Sequence, residues 1–208
     1  MTLPKLTTTL VMWLGMVVLL LIIERFSAPP SSWDKVILTH ISQLRSLWLD
    51  RVFLFVTHFG SLYFLAPATM LILWFLLRNG DSGDAWLLVL SLGGASLIAH
   101  LAKYLFQRVR PDAFPFIGTM PLNASFPSAH TAQVMAFVIA LYLILRRLDM
   151  QNAHWLIIAA APVAVMVALS RLYLQVHYPS DVLAGLVLAL LWSLGIAHLL
   201  GALGIRGG

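Results

Sequence analysis

Residues 182–203 read VLAGLVLALLWSLGIAHLLGAL, without one Asp, Glu, Lys or Arg. A membrane-spanning helix needs about 20 mainly apolar residues, and this run supplies them. Outward from it, five further stretches carry no charge: 7–23, 53–77, 85–102, 129–145 and 155–169. Each reaches or approaches spanning length once uncharged flanks are added, the shortest by borrowing Ala153, His154 and Leu172 to Leu174. The pattern predicts an all-α polytopic membrane protein with six transmembrane helices. Residues 1–208 then form a single domain, since six spans leave no room for a separate soluble one.

Composition agrees. Of 208 residues, 61% are hydrophobic and 10% charged, with a mean hydropathy of +0.91, whereas soluble domains carry about 25% charged residues. This excludes an ordinary soluble enzyme, a disordered chain and a nucleic-acid-binding module. The pI near 10.0 reflects only a +5 balance. The longest basic run is Arg146-Arg147, and in a membrane protein such an excess marks cytoplasmic loops or anionic ligands. With no Cys there is no disulfide, thiolate metal site or thiol nucleophile. Glu24-Arg25-Phe26 follows the first apolar run where a cleaved signal would end in small residues, so this run is expected to remain as a span.

Residues 78–84 and 146–154 form short turns, and 24–52, 103–128 and 170–181 form longer connections. By parity, six spans put the three long segments on one face and both termini with the short turns on the other. Counted raw, Lys and Arg would place the long-loop face in the cytoplasm. With Lys103, Arg110 and Arg171 set aside for the task described below, the faces tie. The Arg146-Arg147 turn then makes the terminal face cytoplasmic. Within 24–52, Pro29-Pro30 breaks the helix and Ser31-x-x-Asp34 is a capping pair. Trp33, Val36, Ile37, Ile41, Leu44 and Trp48 recur at helical spacing with Lys35, Gln43 and Arg45 between them. An interfacial amphipathic helix between the first and second spans is expected. Small residues inside the spans (Gly93 to Ser96, Ala159 to Ala161, Gly185, Ala189) read as close helix packing.

The informative polar residues lie on the long-loop face. Lys103 follows the third span, and Arg110-Pro111 comes seven residues later. Pro127-Ser128-Ala129-His130 opens the fourth span. Ser170-Arg171 closes the fifth, and His177 and Asp181 begin the sixth. Ionisable groups so close to hydrocarbon are functional candidates by default. Lys103, Arg110 and Arg171 supply cations and forked N–H donors suited to phosphate oxygens. Ser128, with the N–H groups of Ala129 and His130, makes an anion site at a helix start. Tyr178 before Pro179 disfavours helix, so His177 falls on the loop and Asp181 in the next helix's first turn. There Asp181 can fix the tautomer of His177, freeing the other ring nitrogen as nucleophile or base. His130 is a second imidazole, and one histidine to attack phosphorus with another to protonate the leaving oxygen completes an in-line phosphoryl-transfer set. No carboxylate cluster or paired histidine suggests a metal. Arg108, beside these residues, reads as a headgroup contact, and His58 and His198 as packing residues. His100, one turn before Lys103, is placed where the helix could bring it to the site.

Lys103-x6-Arg110-Pro111, Pro127-Ser128-Ala129-His130 and Ser170-Arg171-x5-His177-x3-Asp181 together resemble the three-part signature of the type 2 phosphatidic acid phosphatase family. Its superfamily also holds the vanadium haloperoxidases. The motifs cover 103–111, 127–130 and 170–181, and the six-span pattern extends the likeness to the whole chain. One departure is Ala129, where Gly is commoner; Ala keeps the N–H.

The resemblance implies that His177 attacks phosphorus and becomes phosphohistidine, and that Asp181 orients it. It implies that His130 protonates the leaving oxygen and then activates water. Lys103, Arg110, Ser128, Ala129 and Arg171 would bind the phosphoryl oxygens, with no metal and no cofactor. It further implies an integral-membrane lipid phosphatase acting at the outer face of a bacterial inner membrane, with cytoplasmic termini. Its partner is the lipid phosphate in the bilayer, with no nucleic acid and no obligate protein partner. Undecaprenyl diphosphate is the favoured substrate, with phosphatidylglycerophosphate and phosphatidic acid beside it. The alternatives are a phosphotransferase using a polyprenyl diphosphate donor and a non-catalytic lipid transporter.

Overall fold

The structure is a computed structural model and describes residues 3–148 and 154–205. The tip of the 146–154 turn and Arg206 lie outside these residues. Among them the chain is all helical: α1 (Leu3–Ser27), α2 (Ser32–Gln43), α3 (Leu47–Val56), a 3-10 turn (Thr57–Gly60), α4 (Leu62–Arg78), α5 (Ser82–Phe106), α6 (Ala129–Arg147), α7 (His154–Tyr173) and α8 (Pro179–Ala202). Five helices are long and apolar enough to cross a membrane, and a sixth crossing exists if α3 and α4 count together. Their leucines and valines, such as Leu14, Leu97 and Leu190, lie open on the outside. That inverts the soluble pattern and fits a lipid solvent. The chain is an integral membrane protein.

α8 sits at the centre, against α1, α5 and α6. Ala95, Ala99, Ala132, Ala136, Ala184 and Ala189 are buried there, so small side chains let the backbones approach as expected. Ala159 is instead exposed. Gly185 is where α8 meets the start of α6. A Cβ on it would lie 2.8 Å from the Ser128 carbonyl oxygen, so only glycine lets α8 pass the start of α6 unshifted.

The expected second span, 53–77, is not one helix. It splits into α3 and α4, bent by 46° about Thr57–Gly60, and Ser61 is extended (φ −87°, ψ 151°). The break follows from packing: a Cβ on Gly60 would lie 2.4 Å from Val167 Cγ1 and 3.2 Å from His130 Cβ. The chain dips against α6 and α7 here, and helical continuity is lost.

The amphipathic segment also differs from expectation. Ser31 does cap α2, accepting from the Asp34 N–H at 3.4 Å, but the helix ends at Gln43. Trp48 belongs to α3, where Ser46 is a second cap, accepting from the Leu49 N–H. In α2, Trp33, Val36 and Ile37 point outward, while Leu38 and the charged Asp34 are buried.

Candidate active site

The ends of α5 and α7, the starts of α6 and α8 and the loop 107–128 build the site. Lys103 lies in the last turn of α5, which closes with Gln107 in the left-handed region (φ 49°). Residues 107–128 then run without regular structure past this end. Lys103 is buried, and its Nζ donates to the carbonyls of Ala124 (2.6 Å) and Ser125 (3.0 Å). Arg110 fastens the same loop: Nε donates to the Asn123 carbonyl at 2.9 Å and Nη2 to Asn123 Oδ1 at 2.7 Å. Its Nη1 donates to the Val176 carbonyl at 2.6 Å and stands 3.3 Å from His177 Nε2. Burial pushes its guanidinium down to about 10, against which Asp181 acts; it remains a cation at neutral pH.

Arg171, in the last turn of α7, bonds through Nη1 to Thr57 Oγ1 in the 3-10 turn. The break within the expected second span therefore delivers a partner to one of the arginines expected to bind phosphate. Its Nε is buried without a partner among the described residues. An orphaned charged donor in a wall of cations is costly unless a ligand oxygen meets it.

His177 sits just ahead of α8 and is almost fully buried. Its Nδ1 lies 3.3 Å from Asp181 Oδ2. With the proton there, Nε2 is left as a lone pair towards Arg110. Burial is the largest cause holding His177 well below the ordinary histidine value, and Lys103, Arg110 and Arg171 add to it. The neutral ring, which alone can be a nucleophile, is thus the form at neutral pH.

Asp181 Oδ2 also accepts from the Tyr178 N–H at 2.8 Å and from the Ser125 hydroxyl. Lys103, Arg110, Ala129, His130, Arg171 and His177 line one cavity of about 320 Å³ together with Asn123 and Gln133. Two expected site residues stand back from it. Asp181 lies behind His177. Ser128 is fully buried, its hydroxyl 2.9 Å from Thr131 Oγ1 and its N–H donated to the Asp181 carbonyl at 2.9 Å. Ser128 therefore ties α6 to α8, and the Ala129–His130 end of α6 faces the cavity.

A second cavity of about 550 Å³ runs between α4 and α5, lined by Leu62, Ala66, Met70, Leu73, Val89, Leu92, Leu97 and others. It shares Leu62 and His100 with the first. His100 Nδ1 is 2.7 Å from the Ser96 carbonyl, which directs Nε2 away from the helix. A cationic pocket thus continues into an apolar groove.

The sequence profile of the PAP2 superfamily matches residues 84–204, more than half of the chain and all three motifs. The chain belongs to the PAP2 superfamily. A relative in this superfamily, phosphatidylglycerophosphatase B of Bacillus subtilis (strain 168), is 32% identical over 77% of this chain and 79% of its own. An undecaprenyl-diphosphatase of Sulfolobus acidocaldarius is 31% identical over 67% of this chain and 65% of its own. Among solved structures, a transmembrane PAP2-type phosphatidylglycerolphosphate phosphatase from Bacillus subtilis superposes with a TM-score of 0.77 at 28% identity, covering 91% of this chain and 96% of that one.

Several residues at the site were not legible as such. Thr57, Asn123 and Ser125 carry no local signal, because each reaches the site through a loop or a helix break. Arg108 is no headgroup contact: it is buried, with ion pairs to Asp34 at 3.1 Å and Asp181 at 2.7 Å. Asp34 looked like a helix cap alone, and its partner lies 74 positions away. His58, expected to pack within a span, lies exposed in the 3-10 turn with Nδ1 on the Leu54 carbonyl at 2.7 Å.

Proposed function

We propose that this PAP2 protein hydrolyses a lipid phosphate or diphosphate through a phosphohistidine on His177. The observation that carries the reading is the single cavity that holds His177, His130 and three cations beside an unpartnered Arg171 Nε–H. His177 Nε2 attacks phosphorus while the bond to the leaving oxygen breaks, and His130 supplies the proton that oxygen takes up. In the second half His130 removes a proton from water, water attacks phosphorus, and the P–N bond breaks to return Nε2 and free phosphate. Lys103, Arg110, Arg171 and the Ala129 N–H hold the phosphoryl oxygens, whose charge shifts in the transition state. Three fixed cations provide the charge stabilisation that a metal would otherwise give, so the reaction runs without one. Ser128 serves indirectly, by fixing the start of α6.

The apolar groove beside the cavity suits an acyl or prenyl tail, and a soluble phosphate has no use for it. The two relatives reported above are named for phosphatidylglycerophosphate and undecaprenyl diphosphate, which are therefore the two leading substrates, with phosphatidic acid next. Exposed Trp33, Val36 and Ile37 support a position for α2 in the membrane interface on the cavity side. Arg146 and Arg147 close α6 at the opposite end, which supports a cytoplasmic position for that end and, with it, a cavity on the outer side of a bacterial inner membrane.

The test is phosphate release by purified protein from these three lipids in micelles with EDTA present. Release by the parent and none by His177→Ala is expected. Silence on all three lipids sinks the hydrolase reading, and release that EDTA abolishes sinks the metal-free mechanism.

A further inference from the structure

Arg108 does not line the catalytic cavity; beside it, both terminal nitrogens of Arg108 are doubly engaged, and its Nε has no partner among the described residues. Nη1 donates to Asp181 Oδ1 at 2.7 Å and to Ser180 Oγ at 2.8 Å. Nη2 donates to the Ser27 carbonyl at 2.6 Å and to Asp34 Oδ2 at 3.1 Å. The guanidinium carbon stands 4.6 Å from the Tyr178 ring centroid, a stacking that fixes its plane. Asp34 accepts in turn from the Ser180 N–H at 2.9 Å and the Ser180 hydroxyl at 2.8 Å. The ends of α1 and α2 are thereby fastened to the first turn of α8.

We propose that Arg108 is a positioning residue for phosphohistidine formation, acting through Asp181 on His177. The inference rests on the nucleophilic reading of His177 given above. The two oxygens of Asp181 divide the work. Oδ2 serves the His177 ring, the Tyr178 N–H and the Ser125 hydroxyl, and Oδ1 is held by Arg108. Lys103 and Arg110 are turned to loop carbonyls and the cavity, so the counter-charge bonded directly to this buried carboxylate is Arg108. A buried carboxylate without a hydrogen-bonded counter-charge is strongly disfavoured as an anion. A carboxyl that has taken a proton, or turned to find another donor, no longer fixes the proton on His177 Nδ1, and the Nε2 lone pair loses its aim. The effect falls on the chemical step. Because Arg108 does not face the cavity, substrate binding is untouched.

The experiment is rapid-quench trapping of phosphohistidine from radiolabelled phosphatidylglycerophosphate in micelles, beside steady-state kinetics. Arg108→Met is expected to slow phosphohistidine formation at saturating substrate by about 100-fold, with KM within about threefold of the parent. Arg108→Lys returns the charge without the fork and recovers part of that rate. Asp34→Asn cuts the tie to α2 while leaving the Arg108–Asp181 pair, and is expected to melt earlier with its rate within about threefold. Three results overturn the proposal: an unchanged formation rate in Arg108→Met, a raised KM with an unchanged rate (a headgroup contact), or an equal rate loss in Asp34→Asn. If Arg108→Met does not fold, Arg108→Lys decides, and parental rate and KM in it overturn the proposal. A parent enzyme that releases phosphate with no phosphohistidine sinks the His177 reading and this inference together. Phosphohistidine formed equally fast by parent and Arg108 variants sinks this inference alone.

Discussion

The two ends of the helical bundle handle charge in opposite ways. At the end away from the cavity, Arg147 meets Asp84 at 3.1 Å, with the arginine side chain 33% exposed. That pair leaves the arginine open to the surroundings and Asp84 Oδ2 without a partner among the described residues. At the cavity end, Lys103, Arg108, Arg110 and Arg171 are all buried. The two terminal nitrogens of Arg108 are taken by carboxylates, a hydroxyl and a carbonyl, whereas Arg171 lines the open cavity; each keeps its Nε–H without a partner among the described residues. Both ends neutralise charge near hydrocarbon, but only one leaves donors unspent around an open volume. An unspent buried donor costs stability, and on the proposed reading a phosphoryl group recovers that cost on binding.

The largest effect that tests this contrast is loss of the nucleophile. His177→Ala should reduce phosphate release by about 10⁴-fold with little change in melting temperature, read by phosphate assay and thermal scan. Next is Arg171→Ala, expected to lower kcat/KM by about 10²–10³-fold. The unpartnered Nε predicts that this variant loses little stability, and a large fall in melting temperature would mean that the residue is chiefly a strut to Thr57. Gly185→Ala probes the approach of α8 to Ser128. It should cost about 1–3 kcal/mol in a detergent unfolding titration and lower activity too, because the start of α6 must shift.

The pH response of the cavity end has a definite sign. His177 is held below its unfolded value of about 6.5 by burial and neighbouring cations. Its contribution to stability is intact above that pH. It is lost as the pH falls from there towards the folded value, by up to about 1.4 kcal/mol per pH unit. The acid limb of kcat/KM should accordingly lie below the ordinary histidine range, and a limb at 6.5 or above would contradict the buried neutral ring. The smallest effect belongs to the opposite end. Asp84→Asn should cost about 1 kcal/mol or less and leave phosphate release at the parental rate. A catalytic defect there would end the division of labour between the two ends.

The three motifs were readable because each is local. Lys103 and Arg110 are a helix end and its loop, Ala129 and His130 open a helix, and His177 and Asp181 are four residues apart. Periodicity and capping signals sufficed for their elements. The break at Thr57–Gly60 was hidden because its cause is a tertiary contact, Gly60 against Val167 and His130, within a stretch whose composition alone reads as one span. The inner face of α2 was hidden for a related reason. Its outward Trp33 and Val36 set the apolar pattern, while the deciding residue, Asp34, is a single charge whose partners come from other segments.

The sequence by itself determined that this chain lives in a membrane, that it is helical, and which residue types gather at its long-loop face. Those properties follow from transfer free energy and local backbone preference, both of which are fixed residue by residue. Only the tertiary structure decided that Ser128 ties two helices together and does not line the cavity. It alone decided that the expected second span is broken, and that Arg108 pairs with Asp34 and Asp181 while Arg171 faces the cavity. A cation's partner is set by which carboxylate or carbonyl the packing brings within about 3 Å, and no spacing along the chain specifies that.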